Sequence, residues 1–361
     1  MKIGIFTFHC AHNFGAMLQA YALQHYLELQ NHEVYVIDYR PEYLIKPYKR
    51  HSIRHWLSRN PIRMVKKILT EPFLLKKRET FWNKFECFIN TKLRLYPYTA
   101  NADYSEFDII ILGSDQIWNP KLTGDKFDKV FLGGALKLKK IAYAASMGYF
   151  KPNSKEKEIL YIYLKELSEI FIREKGLNDI LSPLMGQNLS VVCDPVFLLS
   201  KKEWEKECMV IHHRRPYVLC YNLLNSDECE IQAKCTAQKL GYDVIIITGS
   251  PILFRIGKQY RQTLSPLEFI SYLEGASFIV TSSFHGTAFA LIFQKEFYSV
   301  GLEHNSGRIL SLLSLLHLEK RLLDKPMNEI VDAIDYASVT ELLEKHIAES
   351  KDLLYNAITK N

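Results

Sequence analysis

Phe278-Ile279-Val280-Thr281-Ser282-Ser283-Phe284-His285-Gly286-Thr287 passes from a short apolar strand to a helix within two residues. The apolar run Phe278–Thr281 reads as a buried strand, and the pattern Phe284–Gln294 reads as the helix that follows it. The same alternation recurs along the chain. Strands are predicted at Ile3–Phe8, Val34–Asp38, Asp108–Leu112, Ile141–Ala145, Ile170–Arg173 and Ser190–Cys193. After a polar, basic stretch around Lys201–Arg215, further strands are predicted at Tyr217–Tyr221, Val244–Thr248, Phe278–Thr281 and Phe297–Val300. Helical patterns fill the intervals: Ala16–Gln30, Phe73–Ile89, Glu156–Glu166, Asp227–Leu240, Leu267–Glu274, Phe284–Gln294 and Arg308–Leu316. Strands that alternate with helices imply parallel, doubly wound α/β sheets. The break near 200–215 divides them into two Rossmann-like domains, residues 1–200 and 201–325, facing a cleft. The first carries a basic helical insertion at about 46–90. Residues 326–361 form a helical tail, with Val339–Ile358 able to pack across the pair.

Composition agrees with two cores: 361 residues suit two domains, and 48% hydrophobic residues against 24% charged exclude long disorder. No apolar run reaches the ~18 residues of a spanning helix, and the start reads as a strand rather than a secretory signal. Seven scattered cysteines without a Cys-x-x-Cys pair suit a reducing cytoplasm rather than disulfides or zinc. The charge is local. Lys46–Arg78 holds eleven Lys/Arg and one acid, Glu71, so this segment carries +10 and the rest of the chain −4. Asn60-Pro61 suggests a helix start, after which Ile62, Val65 and Leu69 share one face. Such a helix is either a solvated amphipathic face or a contact for an anionic membrane surface. No nucleic-acid motif accompanies it.

In open parallel sheets ligands bind beyond the carboxyl ends of the strands, so the loops there hold the candidate site. After the first strand, Asn13-Phe14-Gly15 opens a helix; Asn13 either caps it or faces the cleft. The absence of Gly-x-Gly-x-x-Gly disfavours NAD and FAD. The loop Gly113-Ser114-Asp115-Gln116-Ile117-Trp118-Asn119-Pro120 gathers amides, a carboxylate and an indole, a set suited to sugar hydroxyls and the apolar face of a pyranose. Arg173 leaves a strand end and can hold a phosphate or carboxylate bidentately, or pair with a neighbouring acid. At Ser283-Phe284-His285-Gly286, two hydroxyls precede a helix start with histidine in its first turn. Gly286 leaves room for a ligand to approach the amides, which favour an anion, and His285 is the candidate proton donor or acceptor.

Together these segments resemble the polysaccharide pyruvyl transferase family. The likeness rests on Asn13–Ala20, Gly113–Pro120, Ile141–Ser146, Arg173-Glu174, Asp194-Pro195 and Ser283–Thr287, in order along the chain, with Arg308-Ile309 similar to a late motif. The resemblance implies two Rossmann-like domains in a GT-B-like arrangement. It implies phosphoenolpyruvate as donor and co-substrate, no other cofactor or metal, and a pyruvate ketal on a sugar as product. By that likeness His285 is catalytic and Arg173 binds donor. Ser283, Gly286 and Arg308 of the C-terminal domain join Arg173 in binding the donor. Asn13, Ser114, Asp115, Gln116, Trp118 and Asn119 form the acceptor side. Ser282 stands where relatives carry Asp. The acceptor is then a surface polysaccharide or its lipid-linked precursor, met at the cytoplasmic membrane face, where the Lys46–Arg78 segment would make a peripheral contact. The alternatives are a sugar-nucleotide glycosyltransferase of the same fold, or a silent sugar-binding partner in polymer assembly.

Overall fold

Each apolar run expected to form a strand does so, in one of two separate parallel sheets. The structure, a computed structural model, describes residues 1–48, 61–100, 102, 104–134, 136–253, 255–301, 306–327, 329 and 331–360. The first sheet contains β1 (Lys2–Phe6), β2 (Glu33–Ile37), β3 (Leu95–Tyr96), β4 (Ile109–Leu112), β5 (Lys140–Ala145), β6 (Glu169–Ile172) and β7 (Ser190–Val191). Its order is β3-β2-β1-β4-β5-β6-β7. The second contains β8 (Tyr217–Asn222), β9 (Asp243–Thr248), β10 (Tyr260–Arg261), β11 (Phe278–Thr281), β12 (Glu296–Val300) and β13 (Leu322–Leu323), ordered β10-β9-β8-β11-β12-β13. The central strands are buried along their whole length, as in β4, β8 and β11. That is why they read as continuous apolar runs rather than alternating ones. Register sets Ile3 beside Ile109, and Phe278 beside Val218.

Helices cover the sheets: α1 (Phe14–Leu29), α2 (Glu42–Ile45), α3 (Pro61–Lys92), α4 (Ser154–Leu164), α5 (Lys175–Met185), α6 (Lys201–Glu207), α7 (Asp227–Leu240), α8 (Pro266–Glu274), α9 (Phe284–Ile292), α10 (Ser306–Leu315) and α11 (Tyr336–Thr359). Capping boxes at Asn153/Glu156, Ser200/Glu203 and Ser265/Glu268 fix the starts of α4, α6 and α8 by satisfying orphan amides reciprocally. The second of these corrects an expectation. The stretch from Lys201, read as polar connection, begins with a helix that buries Trp204. α3 is one unbroken helix from Pro61, the start expected from Asn60-Pro61, and it continues through the helical pattern expected at Phe73–Ile89. Residues 49–60 of the basic segment, and its side chains to residue 73, lie outside the described residues. The expected membrane contact falls there. No helix of the described residues is long and apolar enough to cross a membrane.

The two sheets are packed together. Phe14 at the start of α1 stacks on Phe269 of α8, with centroids 4.5 Å apart and planes at 9°. Lys84 of α3 pairs with Glu268 at 2.7 Å, and Trp204 of α6 meets Phe289 of α9 edge-on at 5.0 Å. One hydrophobic cluster includes Ile3, Phe289 and Ile358 alike. α11 crosses the pair: Thr340 accepts from Gln294, while Ser350 accepts from the Cys193 amide. In each sheet the strand order reverses between the first and fourth strands of the set, β1/β4 and β8/β11. The loops leaving those strands face a cleft lined from both sheets.

Candidate active site between two helix starts

Two helix N-termini, one from each sheet, bracket the candidate histidine. Asn13 caps α1: extended at φ −121°, it accepts from the Gly15 amide at 2.9 Å and the Ala16 amide at 3.3 Å. Ser283 caps α9, its Oγ accepting from the Gly286 amide at 3.5 Å. His285 lies in the first turn of α9, 6% exposed. Its ring rests on the α1 backbone at Gly15, where an added Cβ would lie 2.1 Å from Nδ1. A residue with any side chain at 15 would displace the imidazole. Gly286 has a different use from the one expected. Its would-be Cβ meets Thr281 Oγ1 at 2.2 Å, so the glycine lets α9 close onto β11 rather than admitting a ligand.

Carboxylates stand behind the histidine. Asp194, fully buried after β7, holds Oδ2 3.5 Å from His285 Nε2 and 2.6 Å from Arg173 Nη1, while Oδ1 accepts from the Val196 amide at 3.1 Å. Burial alone would raise its pKa. His285, Arg173 and the amide outweigh that and hold the carboxyl well below the usual carboxylate range. Arg173 also reaches Asp115 at 3.4 Å and has Glu174 at 3.9 Å. Glu174 is pushed up by burial, although Ser146 Oγ and the Met147 amide donate to it. Arg173 therefore does not stand with His285 and Ser283. Its charge is shared among three acids, and it braces the site from behind.

The pocket in front of His285 has a volume of about 390 Å³. Asn13, Asp115, Gln116 and Lys121 line it from the first sheet's loops; Ser282, Ser283, His285 and Arg308 line it from the second sheet's side. Ser282 Oγ and His285 Nε2 are buried without a hydrogen-bond partner among the described residues. Buried polar atoms of this kind cost free energy unless a ligand or water meets them. Arg308 makes no hydrogen bond or ion pair with another described residue. Burial, and then the like charge of Arg173, push its guanidinium down to about 10. The Phe284 ring lies between the two arginines, 4.9 Å from Arg173 Cζ and 5.8 Å from that of Arg308. Asp115 is held in the left-handed region at φ 71°, a conformation unusual for a residue with a Cβ, and donation from the Gln116 amide to its own Oδ1 supports it.

The loop after β4 supplies fewer groups than its sequence suggests. Trp118 is fully buried and donates from Nε1 to the Phe131 carbonyl at 3.0 Å, so no ring face is left for a sugar. Ser114 is buried and donates to the Ala144 carbonyl at 2.9 Å. Asn119 is spent on Gln116 Oε1 and on the Lys121 amide. Only Asp115 and Gln116 of the expected set from this loop reach the pocket, because the chain turns back onto the end of β5. Trp118→Ala is accordingly expected to cost about 3–5 kcal/mol of stability, read from chemical unfolding. Intact stability with lost sugar affinity would restore the stacking role. Tyr43, Tyr48 and Lys121 also line the pocket and were missed. The two tyrosines follow β2, another strand end.

The family model for polysaccharide pyruvyl transferase matches residues 13–304. That span takes in Asn13, Asp115, Asp194 and His285, while Arg308 lies just beyond it. No curated protein sequence matches the chain. Among solved structures, the glycosyltransferase SnogD from Streptomyces nogalater is 11% identical, with 99% of each chain covered and a TM-score of 0.45. UDP-GlcNAc 2-epimerase from Methanocaldococcus jannaschii is 15% identical over 95% of this chain and 92% of its own, with a TM-score of 0.43. MnaA with UDP, from S. aureus, is 10% identical over 99% and 90%, with a TM-score of 0.46.

Proposed function

We propose, from the premise that this chain belongs to the polysaccharide pyruvyl transferase family, that it moves pyruvyl from phosphoenolpyruvate to two hydroxyls of one sugar. The products are a cyclic pyruvate ketal and inorganic phosphate. The observation that carries this reading is His285, held between two helix starts in a pocket with anion-binding groups on one side and hydroxyl-binding groups on the other. On the anion side stand Arg308, Ser282 and the positive end of α9. On the other stand Asn13, Asp115, Gln116 and Lys121, with Tyr43 and Tyr48 at hand for a sugar face.

The chemistry needs a proton on the methylene carbon, bonds from two sugar oxygens to the central carbon, and cleavage of the central C–O bond with its electron pair leaving on phosphate. The two hydroxyl protons balance the one delivered to carbon and the one left on phosphate or solvent. His285 is the group that moves a proton. Asp194 stands 3.5 Å from its Nε2, and Arg173 helps keep Asp194 ionised. Arg173 is in this reading a positioning residue, and Arg308 is the donor's guanidinium. A planar fork suits phosphate and carboxylate alike.

Charge-assisted hydrogen bonds are worth about 1.5–3 kcal/mol each. Arg308→Met should therefore raise KM for phosphoenolpyruvate by roughly 10–100-fold, with kcat changed less. An unchanged KM would remove Arg308 from the donor site. Isothermal titration gives the wider test: wild-type protein should bind phosphoenolpyruvate, and binding of UDP-sugars in its place would favour the sugar-nucleotide glycosyltransferase. The acceptor, whether a surface polysaccharide or its lipid-linked precursor, and a cytoplasmic, membrane-peripheral location form part of the same proposal.

A further inference from the structure

Behind Phe284 the cleft holds a second chamber of about 750 Å³, larger than the pocket with His285 and unused by the chemistry above. It lies between α5 and β7 on one side and α10 and α11 on the other. Its inner end holds two guanidiniums, of which Arg173 is paired with acids and Arg308 is not. Arg308 faces it without an ion pair among the described residues. Arg173, 6% exposed, also lines it, and its Nε–H has no hydrogen-bond acceptor among the described residues. α5 opens here without a side-chain cap, and its first amide, that of Lys175, has only a 3.4 Å contact with Ser311 Oγ. Beside this backbone there is space: a Cβ on Gly176 or Gly307 would meet nothing within 4 Å. Two acids line the chamber. Asp194 is engaged by Arg173, and Asp179 is exposed to solvent.

The remaining walls are mixed, with Asn178, Ser314 and His346 set among a larger number of apolar side chains. Val191, Val192, Phe197 and Leu343 line the chamber, and so do Leu310 and Leu315, which stay 44% and 38% exposed. A free anion would leave those walls wet, and a neutral apolar ligand would leave Arg308 unmet. A molecule with one anionic head and an apolar body satisfies both.

We propose that this chamber binds an anionic amphiphile, a phosphate monoester on a short apolar chain, with its head toward Arg308, Arg173 and the start of α5. The proposal rests on the chamber alone and not on pyruvyl transfer. Arg308 and Phe284 line both chambers. A head group in the rear therefore draws on the guanidinium that faces the front pocket, and by linkage each ligand lowers the other's affinity by the same factor.

The test is isothermal titration of the full chain with octyl phosphate and with inorganic phosphate. Octyl phosphate should bind one to one and at least tenfold more tightly, because buried methylenes add to affinity. Ser314→Trp puts an indole into the chamber from an exposed position, and Lys175→Glu puts an acid where a helix start favours it, so both variants should fold. Each should weaken octyl phosphate binding at least tenfold, whereas His285→Ala should leave it unchanged. Equal affinity for the two probes, or binding indifferent to Ser314→Trp, would overturn the proposal. Tight octyl phosphate binding by a chain that turns over no phosphoenolpyruvate would keep the chamber and remove only the pyruvyl reading.

Discussion

Replacing His285 with alanine is expected to lower kcat by about 10²–10⁴-fold, the range for a lost general acid–base group, with little change in folding. The imidazole is buried at the cleft with its Nε2 3.5 Å from the Asp194 carboxylate, a contact that does not make a hydrogen bond. The proposed function makes this imidazole a proton-transfer group rather than one that ties two elements together. A histidine with a purely structural role would show the reverse pattern, with lower unfolding stability and near-normal turnover. Asp194→Asn offers a control within the same experiment: it should lower kcat while leaving KM for phosphoenolpyruvate in place, because Asp194 touches His285 and not the front pocket.

Gly15→Ala is expected to be nearly as damaging, from the opposite half of the protein. Its methyl would need the space of the His285 ring, 2.1 Å from Nδ1 and 2.4 Å from Cγ. Main chain carries one side of that contact, and the ring, close to its own Cα, has little freedom to move. A shift of about 1 Å at a reacting group is enough to cost ~10²-fold. The far-ultraviolet circular dichroism spectrum should be unchanged, since alanine is a better helix former than glycine. Kinetics of Gly15→Ala within threefold of wild type would mean the imidazole has other workable positions, and the interlock of the two halves would lose its catalytic meaning.

The fold was legible because buried parallel strands announce themselves. Ile109–Leu112 and Phe278–Thr281 are uninterrupted apolar runs, and the helices between them carry their own caps. What escaped were pieces too short to show a period. β3, β10 and β13 are two-residue edge strands recruited by their neighbours. α6 was lost in a charged stretch whose one apolar anchor is Trp204. The site was legible in part, because strand-end loops can be found from the strands alone. Direction within a loop cannot. Trp118 and Gln116 are two residues apart, yet one closes the core and the other lines the pocket, and only the return of the chain onto β5 decides which. Arg173 looked like a donor ligand for the same reason. Its three acidic neighbours come from positions 115, 174 and 194, and no local pattern brings 115 and 194 to it.

The most direct test of pyruvyl transfer is to supply phosphoenolpyruvate labelled with ¹³C at the central carbon, together with a panel of free and lipid-linked sugars, and to follow phosphate and carbon together by NMR. The proposed function predicts one phosphate released per label transferred, with the labelled carbon found as a ketal bonded to two oxygens of one sugar ring, and neither product formed by His285→Ala. Phosphate release that leaves the label as free pyruvate, or sugar transfer from a nucleotide donor with phosphoenolpyruvate untouched, would contradict it.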